Sequence, residues 1–313
     1  MSPLQTIVHP TDFSESSAHA LRLAGHLAGT HGLRLVVLHV AETPTAPPPH
    51  EGPKGAAGTA GVKRHQVQLE ERIAGLRASH SDLAVEGHIA EGHAVESILR
   101  SVAALKGDLI VMGSHGRTGL SRVLLGSVAE RVARQATCPV LIVKGPHSLS
   151  HQPPTTGPTE SGTPPFQTII VPTDFSERSR GALNVAAALA GVGTRVIVVH
   201  VAGPVHIASE GYFEALDERL REFTIAKPGV EVEFVLGEGD AAEEVIHLAR
   251  QAERPLIVMP SHGRTGLDRL FIGSVAEKVL RGAVCPVLIL RRAPGAGVPT
   301  FPTPAAVPTP GDG

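Results

Sequence analysis

Aromatic side chains are scarce in this chain, which has no tryptophan, one tyrosine and eight phenylalanines among 313 residues. That leaves no platform for stacking successive bases. Excess charge is missing too: 28 basic side chains face 30 acidic ones, with no basic stretch longer than Lys63-Arg64 or Arg291-Arg292. A nucleic-acid partner needs a concentrated positive surface, so none is expected. No apolar run approaches the roughly 20 residues that cross a bilayer, so no membrane association is expected. The opening MSPLQTIVHPTDFS lacks the basic region and apolar core of a secretion signal, and the plain reading is a cytoplasmic protein. Cysteine is limited to Cys138 and Cys285, each opening a CPVLI run. They read as reduced core residues rather than a disulfide. The 17 histidines show no metal-ligand spacing, so no dedicated protein metal site is expected.

What is present is written twice. TIVHPTDFSE at 6–15 returns as TIIVPTDFSE at 168–177, VVLHVA at 36–41 as VIVVHVA at 196–202, and LLGSVAERV as FIGSVAEKV around Gly126 and Gly273. Asp12 and Asp174 are 162 residues apart, whereas His115 and His262, Gly126 and Gly273, and Cys138 and Cys285 are 147 apart. The first half therefore carries extra residues between 41 and 91. They coincide with the Pro/Gly-rich Thr43–Gly61, expected as a flexible loop. The expected organisation is a first domain over 1–144, a linker over 145–165, a second domain over 166–292 and a disordered tail over 293–313.

Short β-branched runs alternate with amphipathic segments in each half. The runs predict strands near Thr6–His9, Arg34–Val40, Leu83–Ala90, Leu109–Met112 and Pro139–Val143. In the second half they predict strands near Thr168–Val171, Arg195–Val201, Val230–Leu236, Leu256–Met259 and Pro286–Leu290. Five apolar strands separated by four helices predict an α/β fold, a parallel sheet covered by helices on both faces, in each half.

The heptapeptide SHGRTGL occurs at 114–120 and, unchanged, at 261–267. It follows the fourth strand and precedes Gly126-Ser127 or Gly273-Ser274 at a helix start. In an open parallel sheet, ligands bind outside the carboxyl ends of the strands, where the strand order reverses. A helix start led by glycine offers free N–H groups and a positive dipole end to an anion. The serine there either caps the helix or donates to a phosphate.

The spacing Gly113-x2-Gly116-x9-Gly126-Ser127, with PTDFS ending strand one and HV ending strand two, resembles the nucleotide-binding branch of the universal stress protein family. The resemblance implies two tandem flavodoxin/Rossmann-like domains that bind ATP, with Mg2+ held by the nucleotide phosphates. It implies that Pro10, Asp12 and Val40 hold the adenine and ribose end. Met112, Gly113, His115 and Gly116 would line the ribose and first phosphates, and Gly126, Ser127 and Val128 the distal ones. The matching positions are Pro172, Asp174, Val201, Met259, His262, Gly263, Gly273, Ser274 and Val275. Family protomers pair through their last strands, which implies that CPVLIV and CPVLIL pair within this chain. A homodimer and an unidentified protein partner are compatible with the same resemblance.

One position departs from the pattern. Pro260 stands where the first glycine belongs, and proline has a fixed φ and no N–H donor, so weaker binding is expected in the second half. Asp12 and Asp174 also fit helix N-caps, and His39 and His200 read as structural. Arg117 and Arg264 fit either phosphate partners or exposed loop cations. No Ser-His-Asp order or Walker pair is present. A nucleotide-sensing stress-response module is favoured over a slow ATPase or autophosphorylating enzyme, with Ser127 or Ser274 as acceptor, and over a nucleotide-free interaction module.

Overall fold

The computed structural model describes residues 3–42, 55–115, 125–145, 164–203, 211–263, 272–291 and 300–302, with 55–62 as backbone only. The first half runs β1 (Thr6–Thr11), α1 (Glu15–His31), β2 (Arg34–Ala41), α2 (Gly55–Ser79), β3 (Val85–Glu91), α3 (Ala94–Ala104), β4 (Leu109–Gly113), α4 (Ser127–Gln135) and β5 (Val140–Val143). The second runs β6 (Thr168–Pro172), α5 (Glu177–Leu189), β7 (Arg195–Ala202), α6 (Tyr212–Arg221), β8 (Glu231–Glu238), α7 (Ala241–Gln251), β9 (Pro255–Pro260), α8 (Ser274–Gly282) and β10 (Val287–Leu290).

Each half is a parallel sheet, ordered β3-β2-β1-β4-β5 and β8-β7-β6-β9-β10. Its strands are apolar at consecutive positions because both faces are covered. Leu35 and Val37 pack with α1 and α2, and Val36 and Leu38 pack with α3 and α4. Two cores therefore lie on opposite sides of the sheet. Among the described residues no helix is long and apolar enough to cross a membrane.

The halves join into one ten-stranded sheet through β5 and β10, the one antiparallel pair in it: Val287 faces Ile142, Leu288 faces Leu141 and Ile289 faces Val140. Each last strand then sends a cation across to the other half. Lys144 donates to the Leu280 carbonyl at 2.6 Å, near the end of α8. Arg291 donates to the Ala136 and Arg134 carbonyls at 3.0 and 2.6 Å, at the end of α4. Positive groups at helix carboxyl ends satisfy orphan carbonyls and complement the dipole. Burial pushes the Lys144 ammonium down to about 8. Glu130, Arg134, Glu277 and Arg281 form a crossed ion network over the same seam. The network is partly exposed, so the interdigitated apolar strands contribute more to the junction than these charges do. Cys285 lies in this core, and burial pushes both free thiols up to about 12, which keeps them protonated.

Two segments depart from the sequence expectation. Residues 55–61, expected as loop, form the first turns of α2. Alanines at 56, 57 and 60 offset the glycines, and the helix propagates back from a body anchored by buried Leu69, Ile73 and Leu76. Residues 43–54 and 146–163 lie outside the described residues. Part of the tail, expected as disordered, docks on the first half instead. Thr300 bridges to Pro3 and accepts the Leu4 N–H at 2.8 Å, and Pro302 accepts from His31 Nδ1 at 2.8 Å. Phe301 lies buried between them, 5.1 Å from the His31 ring. One aromatic ring with two backbone partners is enough to order a short segment.

Deleting residues 300–313 is therefore expected to lower stability by about 2 kcal/mol, the worth of one buried phenylalanine. Urea unfolding checks the size, and hydrogen exchange at the Leu4 amide checks the place. Unchanged Leu4 protection would show that the contact does not form.

Candidate functional site

In each half the strand order reverses between the first and fourth strands, which opens a crevice at their carboxyl ends. The ladder between β1 and β4 stops at the Val8–Ile110 pair, and that between β6 and β9 at Ile170–Ile257. Beyond those pairs the strands diverge. Pro10, Val40, Met112 and Gly113 all stand at this edge, as do Pro172, Val201, Met259 and Pro260. Val40 and Val128 pack against the buried cluster that contains Met112, which puts them on the α3/α4 side of the sheet. Val201 joins the same cluster as Met259, while Val275 is exposed.

The turn after β1 is tightly specified. Phe13 has a φ of 65° and Phe175 of 62°, a left-handed conformation that a bulky residue rarely adopts. Two hydrogen bonds hold it in each copy. The Phe13 N–H donates to Thr11 Oγ1 at 3.1 Å, and the Ser14 N–H and hydroxyl donate to Asp12 Oδ1 at 3.1 and 2.6 Å. The second half repeats this with Thr173, Asp174 and Ser176. The helix caps are Ser14 and Ser176, which accept from the Ser17 and Ser179 N–H groups. Asp12 and Asp174 are thus not the N-caps. The left-handed residue places them two positions upstream, at the crevice, where one carboxylate oxygen fixes the turn.

Beneath the first turn lies His9, fully buried. Its Nδ1 bonds the Val111 carbonyl at 2.8 Å and its Nε2 lies 3.3 Å from Ser17 Oγ, which in turn donates to Thr11 Oγ1 at 2.8 Å. Burial pushes this imidazole down to about 4, against the raising effects of the Val111 carbonyl and Asp12. The second half has Val171 at this position, and Thr173 donates directly to Ser179.

The glycine-led helix ends are open. Gly126 and Gly273 are the N-caps of α4 and α8, and neither helix has a side-chain cap. Ser127 and Ser274 are the first helical residues and are exposed, so the capping role considered for them is not the one they take. Each glycine is needed for close approach. The Gly126 N–H donates to the Ser114 carbonyl at 2.7 Å, and a Cβ there would sit 2.9 Å from that oxygen. The matching values for Gly273 and Ser261 are 2.8 and 3.3 Å. The loop thus closes on itself and leaves the first N–H groups of the helix directed outward.

His115 and His262 flank these closures. Their Nδ1 atoms lie 2.9 and 3.0 Å from Ser114 and Ser261 Oγ, and their buried Nε2 atoms have no partner among the described residues. Burial, followed by Lys144 for His115 and by Arg291 and Arg178 for His262, holds both below the ordinary histidine value. With the serine hydroxyl donating to Nδ1, the neutral ring carries its proton on Nε2 as a donor.

Gly113 shows why this position differs between the halves. Its φ is not left-handed. What it provides is room, since a Cβ would lie 2.7 Å from Ser16 Oγ and 3.0 and 3.1 Å from the Ser16 backbone C and O. It also provides a donor. The Ile110 and Ser114 N–H groups donate to the Pro139 and Val143 carbonyls of the β5 side, so the alternate Gly113 N–H faces the β1 side, where the crevice opens. In the second half Ile257 and Ser261 donate likewise to Pro286 and Leu290, which leaves Pro260 facing the crevice without a donor. Because Pro260 lies past the last β6–β9 pair, the sheet loses nothing by it.

Sequence reasoning missed Ser16, Ser114 and Ser261; only the repetition of the two serines within SHGRTGL marked them out. Gly116, Arg117 and Arg264 lie outside the described residues, and Gly263 is described at the loop's second glycine position. His39 and His200 bond the Thr11 and Thr173 carbonyls at 2.9 and 2.8 Å, in keeping with their structural reading. Among the described residues no three His, Cys, Asp or Glu side chains group to hold a metal.

The fold and its crevices define a doubly wound α/β protein present in two copies on one chain. The family model described as the universal stress protein family matches residues 3–144 and 165–291. The chain belongs to that family. It is similar to a universal stress protein of Mycolicibacterium smegmatis, 28% identical over 294 residues, which covers 90% of this chain and 95% of that one. It is also similar to universal stress protein MJ0531 of Methanocaldococcus jannaschii, 33% identical over 141 residues, 41% of this chain and 83% of that one. The match to Rv2005c of Mycobacterium tuberculosis is 32% identical over 190 residues and covers 59% of this chain and 62% of that protein. A universal stress protein of Archaeoglobus fulgidus has the same fold, with a TM-score of 0.61 at 20% identity over 92% of this chain and 98% of the other.

Proposed function

We propose that each half binds one ATP in the crevice between its first and fourth strands, and that the chain is a nucleotide-dependent regulatory module of the stress response. The observation that carries this reading is the pair of uncapped, glycine-led helix starts at Gly126 and Gly273, folded against Ser114 and Ser261 at the strand-order reversal. Phosphate oxygens fit such a start, because side chains there would fill the space an anion needs. Ser127, Val128, Ser274 and Val275 would offer backbone N–H groups. Asp12 and Asp174, fixed by their own turns, face the same crevice and are placed for a ribose hydroxyl. Magnesium would arrive with the phosphates. The first half binds more tightly, since Gly113 keeps a donor that Pro260 lacks.

Three methionines make the test simple. Met112 and Met259 flank the two crevices, and Met1 is the third. In the full chain labelled at its methionine methyls, ATP with magnesium is expected to move the Met112 and Met259 resonances, Met112 at lower concentration, and to leave Met1 in place. Two unmoved site methyls at millimolar ATP would sink the proposal.

A further inference from the structure

The two crevices differ at a second position, and the two differences are linked. Ser16, whose hydroxyl is buried with no partner among the described residues, fills the space over Gly113. Arg178 takes that place in α5, above Pro260. A proline ring occupies the volume that Gly113 leaves open, so the side chain at 178 turns outward. It is exposed, and its Nη1 donates to the Gly263 carbonyl at 3.3 Å. Gly263 in turn packs against Asp174, with its Cβ position 3.0 Å from Oδ2. A guanidinium is thereby set at the mouth of the second crevice, between the turn after β6 and the loop leading to Gly273. One of its five N–H donors is used in this contact. The neutral Ser16 gives the first crevice no such group.

Resting on the nucleotide reading above, we propose that Arg178 makes the second site select by phosphate-chain length, taking nucleoside triphosphates in preference to monophosphates more strongly than the first site does. A guanidinium fork adds little for a base or ribose, but each added phosphate brings charge and acceptor oxygens to it. The second site thus replaces a backbone donor lost at Pro260 with a side-chain cation of longer reach. Its affinity should fall more steeply with salt than that of the first.

The test titrates the methionine-labelled full chain with ATP and with AMP, reading Met259 for the second site and Met112 for the first. In Arg178→Ser the ratio of ATP to AMP affinity at Met259 is expected to fall about tenfold, one lost charge-assisted contact. The ratio at Met112 should stay constant, which also reports that the variant is folded. Arg178→Lys, which keeps the charge without the fork, should recover part of the ratio. An unchanged Met259 ratio in Arg178→Ser overturns the inference while leaving nucleotide binding standing. Failure of both nucleotides to move either methyl in the unaltered chain removes the proposed function and this inference together.

Discussion

Gly113→Pro is expected to weaken ATP binding at the first site by about tenfold to a hundredfold, the worth of one hydrogen bond to a charged group. Two causes act together. The substitution removes the N–H that faces the crevice, and it places ring carbons 2.7 Å from Ser16 Oγ and 3.0 Å from the Ser16 backbone. Gly113→Ala separates them, because it meets the same contact and keeps the donor. The alanine variant should lose stability, by about 1–3 kcal/mol as an overpacked site does, with a smaller loss of affinity. The proline variant should lose both. Calorimetric titration and urea unfolding of the two variants measure the pair, and equal ATP affinity in the unaltered and Gly113→Pro chains would contradict the role given to the donor. The second half tolerates proline because its helix presents Arg178, whose side chain leaves the contact.

The second large effect is an acid lability confined to the first half. His9 is neutral in the fold, pushed down to about 4 from an ordinary 6.5 by burial. Below pH 6.5 the unfolded chain takes up a proton that the folded chain refuses, so stability falls as pH drops through the window to about 4. The group is fully buried, and its full contribution to that loss is about 3 kcal/mol. His9→Val, which copies Val171, should remove this part of the slope. The remaining depressed histidines, His26 among them, titrate in both chains and cancel in the difference. Urea midpoints between pH 7 and pH 4 check this, and parallel pH profiles for the two chains would show that His9 does not titrate there.

Much of the fold was legible because each half is written in buried strands. Runs such as LIVM and VVLHV are apolar at every position only when both faces are covered, so strand number, helix alternation and the parallel sheet followed from the letters. The duplicated CPVLI segments pointed to the seam between β5 and β10. The contacts that cross the seam were not legible. Lys144 and Arg291 look like polar ends of strands, and only the antiparallel pairing brings each to a helix end in the other half. The tail was hidden for a similar reason: Phe301 stands in Pro/Gly-rich sequence, and its order comes from Leu4 and His31, far away in the chain.

The candidate site was legible in its residues more than in their reasons. Its glycines were visible from their spacing, but a sequence does not show whether a glycine serves a left-handed turn or a close contact. Gly113 and Gly126 serve contacts, while the left-handed residue in the turn is Phe13, which no propensity would select. That residue also moved the cap from Asp12 to Ser14. Ser16 and Arg178 acquire meaning only opposite Gly113 and Pro260.

The most direct measurement is equilibrium dialysis of the full chain against labelled ATP with magnesium. Two ATP molecules per chain with unequal affinities are expected, the tighter one weakened in Gly113→Pro and the weaker one in Arg178→Ser. A chain that retains no ATP at any concentration would contradict the reading of both glycine-led helix starts as phosphate sites.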